Sequence, residues 1–441
     1  MVRFVFPYNP QLNSAPVRGL LFCPWNASPL LSMDLAAQNF ASDLEAAVPP
    51  PRGAIVACML AGMCTFLNVY CTQPLLPYLQ HLYHASEIEV SLTVSATILA
   101  VAIAAPFVGM MAESIGRKKV IVPCLYALTA PTMLAATSRN LHELIFWRSM
   151  QGLFVPGVIA VIMAYIGEEF AGNYVGRAMA AYISGTVLGG FGGRYISGVI
   201  AQHFSWGDAF IVIGLINLAG AAVVQRQLPR AKRFVRSNHW RDSVFEARQH
   251  LRNPHLIAVF GMAFAVLFSL VAAFTYANFH LALPPYHLNS EQLGSIFFVY
   301  LLGAVVTPFS GRFLDHFGMR LTAIAAATFA VTGLLLTLAR PLAAIVAGLA
   351  LFSSGIFIFQ AIGTVQTGVV AGRARSSAAG LYVTFYYIGG SLGAIVTGWT
   401  WQAGGWTACV YLLIGVTCLA LALAFASSWK RDSRSPAVVE N

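Results

Sequence analysis

The chain has 441 residues, of which 58% are hydrophobic and only 10% are charged. Soluble domains carry roughly a quarter charged residues, so this composition indicates a membrane protein. The formal net charge is +10, but the basic residues are spread between apolar segments and form no single patch, which argues against a nucleic-acid partner.

Apolar stretches of about 20 residues, the length that crosses a bilayer, recur along the chain. We predict spans at 54–76, 88–111, 119–137, 141–164, 177–200 and 207–226, and, after a polar interval, at 255–280, 291–311, 320–339, 341–365, 377–399 and 404–428. Backbone polar groups find no water in lipid, so these spans must be helical. The sequence therefore predicts an all-α membrane protein with twelve transmembrane helices in two six-helix halves.

These spans divide the chain into five predicted regions. They are a disordered cytoplasmic segment at 1–52, a six-helix bundle at 53–226, a basic cytoplasmic linker at 227–254, a second six-helix bundle at 255–428 and a cytoplasmic tail at 429–441. Arg3 and Arg18 flank no continuous apolar core, which argues against a cleaved signal peptide. Met1 and Met33 both fit as the start.

Lysine and arginine residues are concentrated on one side of the predicted spans. That side carries the basic residues of the linker and tail together with Arg117, Lys118, Lys119, Arg177, Arg312, Arg320, Arg373 and Arg375. The opposite loops hold only Arg139 and Arg340. Because cytoplasmic loops carry the excess of positive charge, we predict that both termini and the linker are cytoplasmic.

Several kinds of chemistry have no motif in this sequence. The seven cysteines include no C-x-x-C pair, and we interpret them as small buried apolar residues and not as disulfides or metal ligands. The chain has no P-loop for ATP, no H-E-x-x-H motif and no Ser/His dyad at membrane depth. We therefore predict a protein that is not an enzyme and has no catalytic residue, metal site or cofactor.

An unusual motif occurs twice, once between spans in each half. The first copy contains Gly109, Glu113, Gly116, Arg117 and Lys118, and the second contains Gly311, Asp315, Gly318 and Arg320. Such repetition is typical of a transporter built from duplicated halves. We expect the glycines to allow tight turns and close helix approach, and the charges to pair with neighbours such as Glu168 and Glu169. The motif then forms a gate on the cytoplasmic side; the alternative is that its charges only set topology.

The doubled motif resembles the signature of the major facilitator superfamily, where it follows the second and eighth helices. Arg148–Gly152 is similar to the R-x-x-Q-G of that family, and Gly185–Gly193 to its glycine-rich antiporter motif, with Gly190 where proline is usual. Leu381–Gly390 resembles the arabinose-efflux-permease-like, YnfM-type branch of drug/proton antiporters. The resemblance covers about residues 53–430. Met319 replaces the motif arginine in the second copy, so we expect the first copy to be the stronger latch.

The resemblance implies a function and a location. It implies a secondary-active transporter of the bacterial inner membrane, multi-pass, that exports small molecules by proton-coupled alternating access. The expected partners are an amphiphilic or anionic small-molecule substrate, protons and the lipid bilayer, and we expect a monomer. Two alternatives stay open: an importer or symporter of a small organic anion, and a membrane sensor or receptor that does not transport.

Two arginines, Arg148 and Arg194, lie inside predicted spans, and no Asp or Glu lies deep in any span. A charge inside a membrane costs roughly 2.5–3.5 kcal/mol even on insertion scales. Either backbone carbonyls satisfy these guanidinium groups, or they form an anion site, because arginine suits carboxylates and phosphates. For Arg148 both a structural role and a substrate or proton-linked role stay open, and we expect Arg194 to be structural.

Helices 1, 4, 7 and 10 line the central cavity in the family that this chain resembles. Candidates for the substrate or proton pathway are Asn68, Tyr70, Gln73, Arg148, Gln151, Tyr276, Asn278, Gln360 and Tyr386. An aromatic and amide lining binds amphiphilic molecules through apolar area and a few hydrogen bonds. The alternative is that these residues are polar groups in helix packing.

Glycines recur every four residues in the fifth and eleventh predicted helices, so they line one face of each. The helix-packing glycines are Gly185, Gly189, Gly190, Gly193, Gly389 and Gly393. Glycine lets backbones approach closely. We expect these faces to form the interface between the halves, either as permanent packing or as the hinge on which the halves rock.

Overall fold

The computed structural model describes residues 52–170, 173–231, 245–246, 248–371 and 375–428. The predicted N-terminal segment, except for its last residue, and the predicted tail at 429–441 lie outside these ranges, as does 232–244 of the linker. Residues 49–441 group as one compact unit. Within the described ranges the chain contains helices and no β-strand, which confirms the all-α class.

Nine elements make up the first half. They are α1 (Arg52–Val69), a 3-10 turn (Gln73–Leu75), α2 (Leu76–Tyr83), α3 (Glu87–Ile115), α4 (Arg117–Ala135), α5 (Leu141–Phe154), α6 (Pro156–Glu169), α7 (Asn173–His203) and α8 (Trp206–Gln227). The second half contains α9 (Pro254–Ala282), α10 (Ser290–Ile296), α11 (Val299–Leu336), α12 (Leu342–Val370) and α13 (Arg375–Ser428).

Eight stretches of the described residues are long and apolar enough to cross a bilayer. Two of the helices contain a break: Gly318 is non-helical inside α11, and Gly404 and Gly405 are non-helical inside α13. Each of these helices therefore consists of two helical segments, which fits the predicted arrangement. The count of twelve crossings itself stays a prediction. Following the predicted orientation, we call the side with loops 84–86, 136–140, 204–205 and 283–289 the outer side and the opposite one the inner side.

Acidic residues cap several helices at the outer side. The side chain of Glu143 accepts hydrogen bonds from the Arg139 backbone N–H at 2.8 Å and from the Asn140 amide at 3.2 Å. Asp208 accepts the Ser205 backbone N–H at 3.1 Å in a capping box. Caps of this kind satisfy N–H groups that have no partner within the helix. Glu143 and Asp208 are the acidic residues nearest in sequence to Arg148 and Arg194. Both serve as helix caps.

Prolines and glycines place the main helix breaks. Pro74 has no N–H to donate and its ring clashes with the carbonyl four residues earlier, so α1 ends at Val69 and the chain continues through a 3-10 turn. Gly116 and Gly318 adopt φ angles of 108° and 75°, which residues with a side chain rarely adopt. Both copies of the doubled motif thus end in a sharp turn that requires glycine.

The glycines of α7 pack against α1. A Cβ atom at Gly185, Gly189 or Gly193 would overlap a backbone carbonyl of α1, and the three carbonyls belong to Met59, Met63 and Leu67. In α13, Gly389 and Gly393 meet the carbonyls of Phe264 and Phe268 in α9 in the same way. Gly190 lies off this face, since its nearest neighbour is the guanidinium of Arg194. The expectation that these glycines form the interface between halves is wrong, because each glycine face joins two helices of the same half.

Among the described residues, two other helix pairs make most of the contacts between the halves. Helix α3 packs against the first segment of α13, and α7 packs against α10. A Cβ at Gly294 of α10 would stand 2.9 Å from the Arg194 carbonyl oxygen, and one at Gly390 of α13 would stand 3.3 Å from Ile98 of α3. At the outer surface, His203 Nε2 lies 2.9 Å from a Glu291 carboxylate oxygen. These contacts lie at the middle and outer levels of the helices.

At the inner side the doubled motif is open. Among the residues that the structure describes, no heavy atom lies within 4 Å of a Cβ placed at Gly109 or Gly311, apart from neighbours along the chain and the helix's own backbone. The expected close helix approach at these two glycines is therefore absent from this conformation. Because the contacts between halves lie above this level, the inner ends of the helices have room to separate while the outer side is closed.

Among the described cysteines, all except Cys418 are buried packing groups, as expected. Cys58, Cys64, Cys71, Cys124 and Cys409 are buried and free, whereas Cys418 is exposed. A Cβ at Gly157 or Gly220 would overlap the sulfur of Cys124 or Cys64. The pairs therefore combine a compact thiol with a residue that has no side chain.

We expect Gly189→Ala to destabilise the protein. The added methyl group would overlap the Met63 carbonyl oxygen, so α1 and α7 would have to separate, and overpacking of this kind costs about 1–3 kcal/mol. The measurement is the thermal midpoint of the purified protein in detergent. Gly415→Ala in α13 is the matched control, since its Cβ would meet no neighbour within 4 Å. Equal midpoints for the two variants would show that the α1–α7 packing is not close in solution.

Candidate functional site

Backbone carbonyls surround the guanidinium of Arg148. The residue is fully buried on α5, and its Nε donates to the Thr93 carbonyl at 3.0 Å. Its other nitrogens donate to the carbonyls of Asn68, at 2.7 Å, and Val69. The last two carbonyls lie at the end of α1, where a helix leaves its final C=O groups without internal partners. Arg148 therefore caps the break in α1 from the neighbouring helix.

A buried polar network continues from Arg148 through the first half. The Gln151 side-chain oxygen accepts from Arg148, and its amide donates to Thr132 Oγ1 at 3.1 Å. Thr132 donates to the Asn68 side-chain oxygen at 2.7 Å, and the Asn68 amide reaches Asn217 at 3.4 Å. Four segments, α1, α4, α5 and α8, are joined by side chains that exchange hydrogen bonds in the core.

Gly152 allows this network to form. A Cβ at Gly152 would overlap the Thr97 carbonyl oxygen and crowd the Ala100 side chain of α3. Only a glycine lets α5 approach α3 closely enough for Arg148 to reach Thr93. The R-x-x-Q-G sequence is thus a packing motif in this protein. The expectation that Arg148, Gln151 and Asn68 lie on the substrate or proton pathway is not supported, because backbone and core groups occupy all three side chains.

Arg194 has different surroundings, at the interface between the halves. Its guanidinium carbon lies 4.4 Å from the ring centre of Tyr70, 4.5 Å from that of Phe297 and 4.7 Å from that of Tyr300. Such distances are those of cation–π contacts. Tyr70 belongs to the first half, whereas Phe297 and Tyr300 follow α10 in the second. Arg194 therefore links the halves, whereas Arg148 matches the carbonyl-satisfied alternative that the sequence left open.

Amides extend this link. Arg194 Nε donates to the Gln73 side-chain oxygen at 2.7 Å, and Nη1 donates to the Gly190 carbonyl at 2.6 Å. The Gln73 amide donates to Thr275 Oγ1 at 3.2 Å, and the Asn278 amide donates to the Gln73 carbonyl at 3.2 Å. Gln73 and Asn278, both predicted pathway residues, thus bind the 3-10 turn of the first half to α9 of the second.

Tyrosines cluster beside Arg194 at the middle of the bundle. The rings of Tyr386 and Tyr387 are 5.5 Å apart in a T-shaped arrangement, and Tyr382 stacks on Tyr386 at 6.3 Å. Tyr386 is close enough to Tyr70 and Tyr300 for electrostatic interaction. We call the group Tyr70, Arg194, Tyr300, Tyr386 and Tyr387 the tyrosine–arginine site. It takes residues from the break after α1 and from α7 of one half, and from α11 and α13 of the other.

Two further pathway candidates lie elsewhere. The Tyr276 hydroxyl donates to the Ala394 carbonyl at 2.8 Å, and its side chain is fully buried. Tyr276 therefore fastens α9 to α13 within the second half, which contradicts its expected place on the pathway. Gln360 is partly buried on α12 and accepts a hydrogen bond from the Tyr382 hydroxyl through its backbone carbonyl at 3.4 Å, so it lies at the edge of the tyrosines.

The first copy of the doubled motif forms an ion pair at the inner side. Arg117 donates to both carboxylate oxygens of Glu168 at 3.1 and 2.6 Å. Lys118 donates to the Gln225 carbonyl at 2.7 Å and to the Leu228 carbonyl at the end of α8. Cations are favourable at a helix C-terminus, where carbonyls lack partners. The side chain of Glu113 lies outside the described part of the structure.

The second copy repeats this geometry with neutral groups. Met319 takes the position of Arg117, and its sulfur contacts the Gln366 amide on α12. Helix α12 is the counterpart of the segment that carries Glu168. Asp315 and Arg320 are exposed at the same surface. The bidentate ion pair of the first half is thus replaced by a neutral contact, as the departure at Met319 led us to expect.

Several site residues escaped the sequence analysis. Thr93 contributes only a carbonyl, and Thr132 and Asn217 are common polar residues of membrane helices, so nothing in their sequence context marks them. Phe297 and Tyr300 follow the break after α10, which brings their rings over Arg194. The available signal was Arg194 itself, whose buried charge requires aromatic or polar neighbours from other helices.

A helical bundle with a repeated inner-side motif and a polar interface between its halves is a membrane transport protein. The sequence profile of the Major Facilitator Superfamily matches residues 58–284 and 267–441, and the chain therefore belongs to that superfamily. The Escherichia coli inner membrane transport protein YnfM is 33% identical over 352 residues, which are 80% of this chain and 84% of that protein.

Solved structures have the same fold. A bacterial homologue of the human lysosomal transporter Spinster, in an inward-facing and occupied conformation, gives a TM-score of 0.69 at 14% identity over 87% of this chain and 98% of that chain. The human organic anion transporter MFSD10 gives a TM-score of 0.66 at 18% identity over 86% of this chain and 100% of that chain. At these identities the comparison shows the fold alone.

We expect Arg148→Lys to destabilise the first half although it retains the charge. A lysine ammonium cannot reach the carbonyls of Asn68, Val69 and Thr93 together, and each carbonyl left without a donor costs about 1–3 kcal/mol. The measurement is the thermal midpoint of the purified protein. Arg139→Lys in the exposed outer loop is the control, and a midpoint for Arg148→Lys equal to that of the control would refute the capping role.

Arg117 and Glu168 should be energetically coupled. Their side chains are 11% and 33% exposed, and a bidentate pair of this kind is worth about 1 kcal/mol. A double-mutant cycle with Arg117→Gln, Glu168→Gln and both together measures the coupling through thermal unfolding. Met319→Leu with Gln366→Leu serves as the neutral counterpart. Additive effects of the two first-half substitutions would mean that the ion pair contributes nothing in solution.

Proposed function

We propose that this protein is a secondary-active transporter that exports small molecules across the bacterial inner membrane in exchange for protons. The observation that carries the proposal is the level at which the halves touch. Their contacts lie at the middle and outer levels, as at His203 and Glu291. At the inner level, none of the described neighbours faces Gly109 or Gly311 within 4 Å. An alternating-access carrier closed on its outer side has this arrangement.

The doubled motif supports a rocking motion. Arg117 and Lys118 hold the turn after α3 to elements of the first half, so this turn moves with its own bundle. Met319 does the same in the second half through Gln366. Each half can therefore rotate as a body about the middle-level contacts. The similarity to an inward-facing Spinster homologue agrees with this interpretation.

Export and proton exchange rest on the similarity to the YnfM-type branch. No Asp or Glu lies deep in a predicted span, so we assign the proton steps to carboxylates at the inner rim, where Glu168 pairs with Arg117. A carboxylate that binds a proton releases its arginine, which links protonation to the inner-side contacts.

Transport in vesicles tests the proposal. A panel of metabolites and antibiotics is first screened for compounds that raise the thermal midpoint of the purified carrier, because ligands that bind the folded state stabilise it. Inverted membrane vesicles are then acidified internally. We expect them to accumulate these compounds, since protons leaving the lumen drive export into it.

Two variants, compared at equal amounts of protein in the vesicles, test whether the inner-side motif is needed for transport. Arg117→Ala should lower the accumulation at least about tenfold, whereas Arg139→Ala at the outer surface should leave it unchanged. If the compounds accumulated only in right-side-out vesicles, the protein would be an importer and the proposed export would be wrong. No flux of any stabilising compound in either orientation would overturn the transport function.

A further inference from the structure

We propose that the tyrosine–arginine site binds the carboxylate of an organic anion that has an aromatic or other apolar body. The inference rests on the proposed transport function and names the substrate class that this site selects. Its basis is the contrast between the two intramembrane arginines, the state of the tyrosine hydroxyls and the position of the site between the halves.

The charge of Arg194 is the first argument. The residue is 2% exposed, and the partners that the structure describes for it are a side-chain amide, a backbone carbonyl and three aromatic rings. All of these groups are neutral. Arg148, by contrast, directs its nitrogens at three backbone carbonyls that complete its shell. None of the described partners of Arg194 is a carboxylate. A buried guanidinium in such surroundings favours the binding of an anionic ligand beside it.

The hydroxyl groups give an independent argument. Among the described residues, no partner accepts or donates a hydrogen bond at the phenol oxygens of Tyr70, Tyr300, Tyr386 and Tyr387. Tyr70 and Tyr387 are only 7% and 4% exposed. Tyr300 and Tyr386 are half-buried. Four phenol groups in these surroundings that are unused as hydrogen-bond donors are suited to a polar ligand.

The composition of the site sets its selectivity. Phenol groups donate hydrogen bonds to a carboxylate, and Arg194 supplies the opposite charge. The rings of Tyr382, Tyr386 and Tyr387 offer stacking and edge contacts to an aromatic or apolar body. A cationic compound of the same shape meets repulsion from Arg194. The expected order of affinity is carboxylate, then amide, then amine.

The site also lies where occupancy can influence transport. Tyr70 and Arg194 belong to the first half, and Tyr300, Tyr386 and Tyr387 belong to the second. An anion held by Arg194 and the tyrosines therefore contacts both halves at once. It competes with the ring faces of Tyr70 and Tyr300 for the same guanidinium, so binding changes the interface on which the halves move.

The experiment compares three probes with one aromatic body and different head groups. They are 2-naphthoate, 2-naphthamide and 2-naphthylmethylamine, titrated against the full-length protein in lipid nanodiscs with the thermal midpoint as readout. We expect 2-naphthoate to bind wild-type protein at least about tenfold more tightly than the amide, and the amine to bind most weakly. Arg194→Gln should bring the carboxylate within about twofold of the amide, while Arg340→Gln at the outer surface should change neither.

Tyr386→Phe and Tyr300→Phe keep the rings and remove only one hydroxyl each, so they preserve the test if Arg194→Gln does not fold. Each should weaken 2-naphthoate about threefold to tenfold and leave the amine unchanged. Equal binding of carboxylate and amide by wild-type protein would overturn the proposal, as would a carboxylate preference that survives all three substitutions. Flux in vesicles distinguishes a failure of the anion site from a failure of the transport function. Export of other compounds without a preference for anions would overturn only the anion site. Binding that depends on Arg194 without any flux would overturn the transport function and leave the anion site in place.

Discussion

The structure depends on how two positive charges are accommodated inside a bundle that has no deep carboxylate. Arg148 uses the carbonyl groups that the break in α1 releases, so a helix interruption and a buried cation compensate each other. Arg194 uses the rings of Phe297 and Tyr300 from the opposite half, together with the Tyr70 ring and the Gln73 amide of its own half. The first solution fixes four helices of one bundle, and the second holds two bundles together. The same type of side chain thus serves as a core anchor in one place and as part of the interface between the halves in the other.

The sequence predicted what depends on local chemistry. Helix positions followed from the length of the apolar stretches, and the turns at Gly116 and Gly318 followed from the need for glycine. The pairing of Arg117 with Glu168 was among the expected contacts because both residues lie at the inner ends of neighbouring spans. These features involve residues whose role is set by their own type and by their depth in the membrane.

The sequence could not predict which neighbouring helix a given face of a helix contacts. A stripe of glycines indicates close packing but not the partner, and Gly189 faces α1 of its own half instead of the second half. The alternatives for Arg148 and Arg194 could not be separated from the sequence for the same reason, since depth alone does not reveal whether carbonyls or rings surround a guanidinium. Pro74 marked the break in α1, but its consequence for Arg148 required the neighbouring helix to be in place.

The replacement of an ion pair by Met319 and Gln366 makes the duplicated halves chemically unequal. Dissolved salt screens the Arg117–Glu168 attraction but has almost no effect on a thioether beside an amide. High ionic strength therefore weakens the contact made by Arg117 and leaves the equivalent contact made by Met319 almost unchanged. Two positions related by duplication thus differ in their response to the ionic composition of the medium.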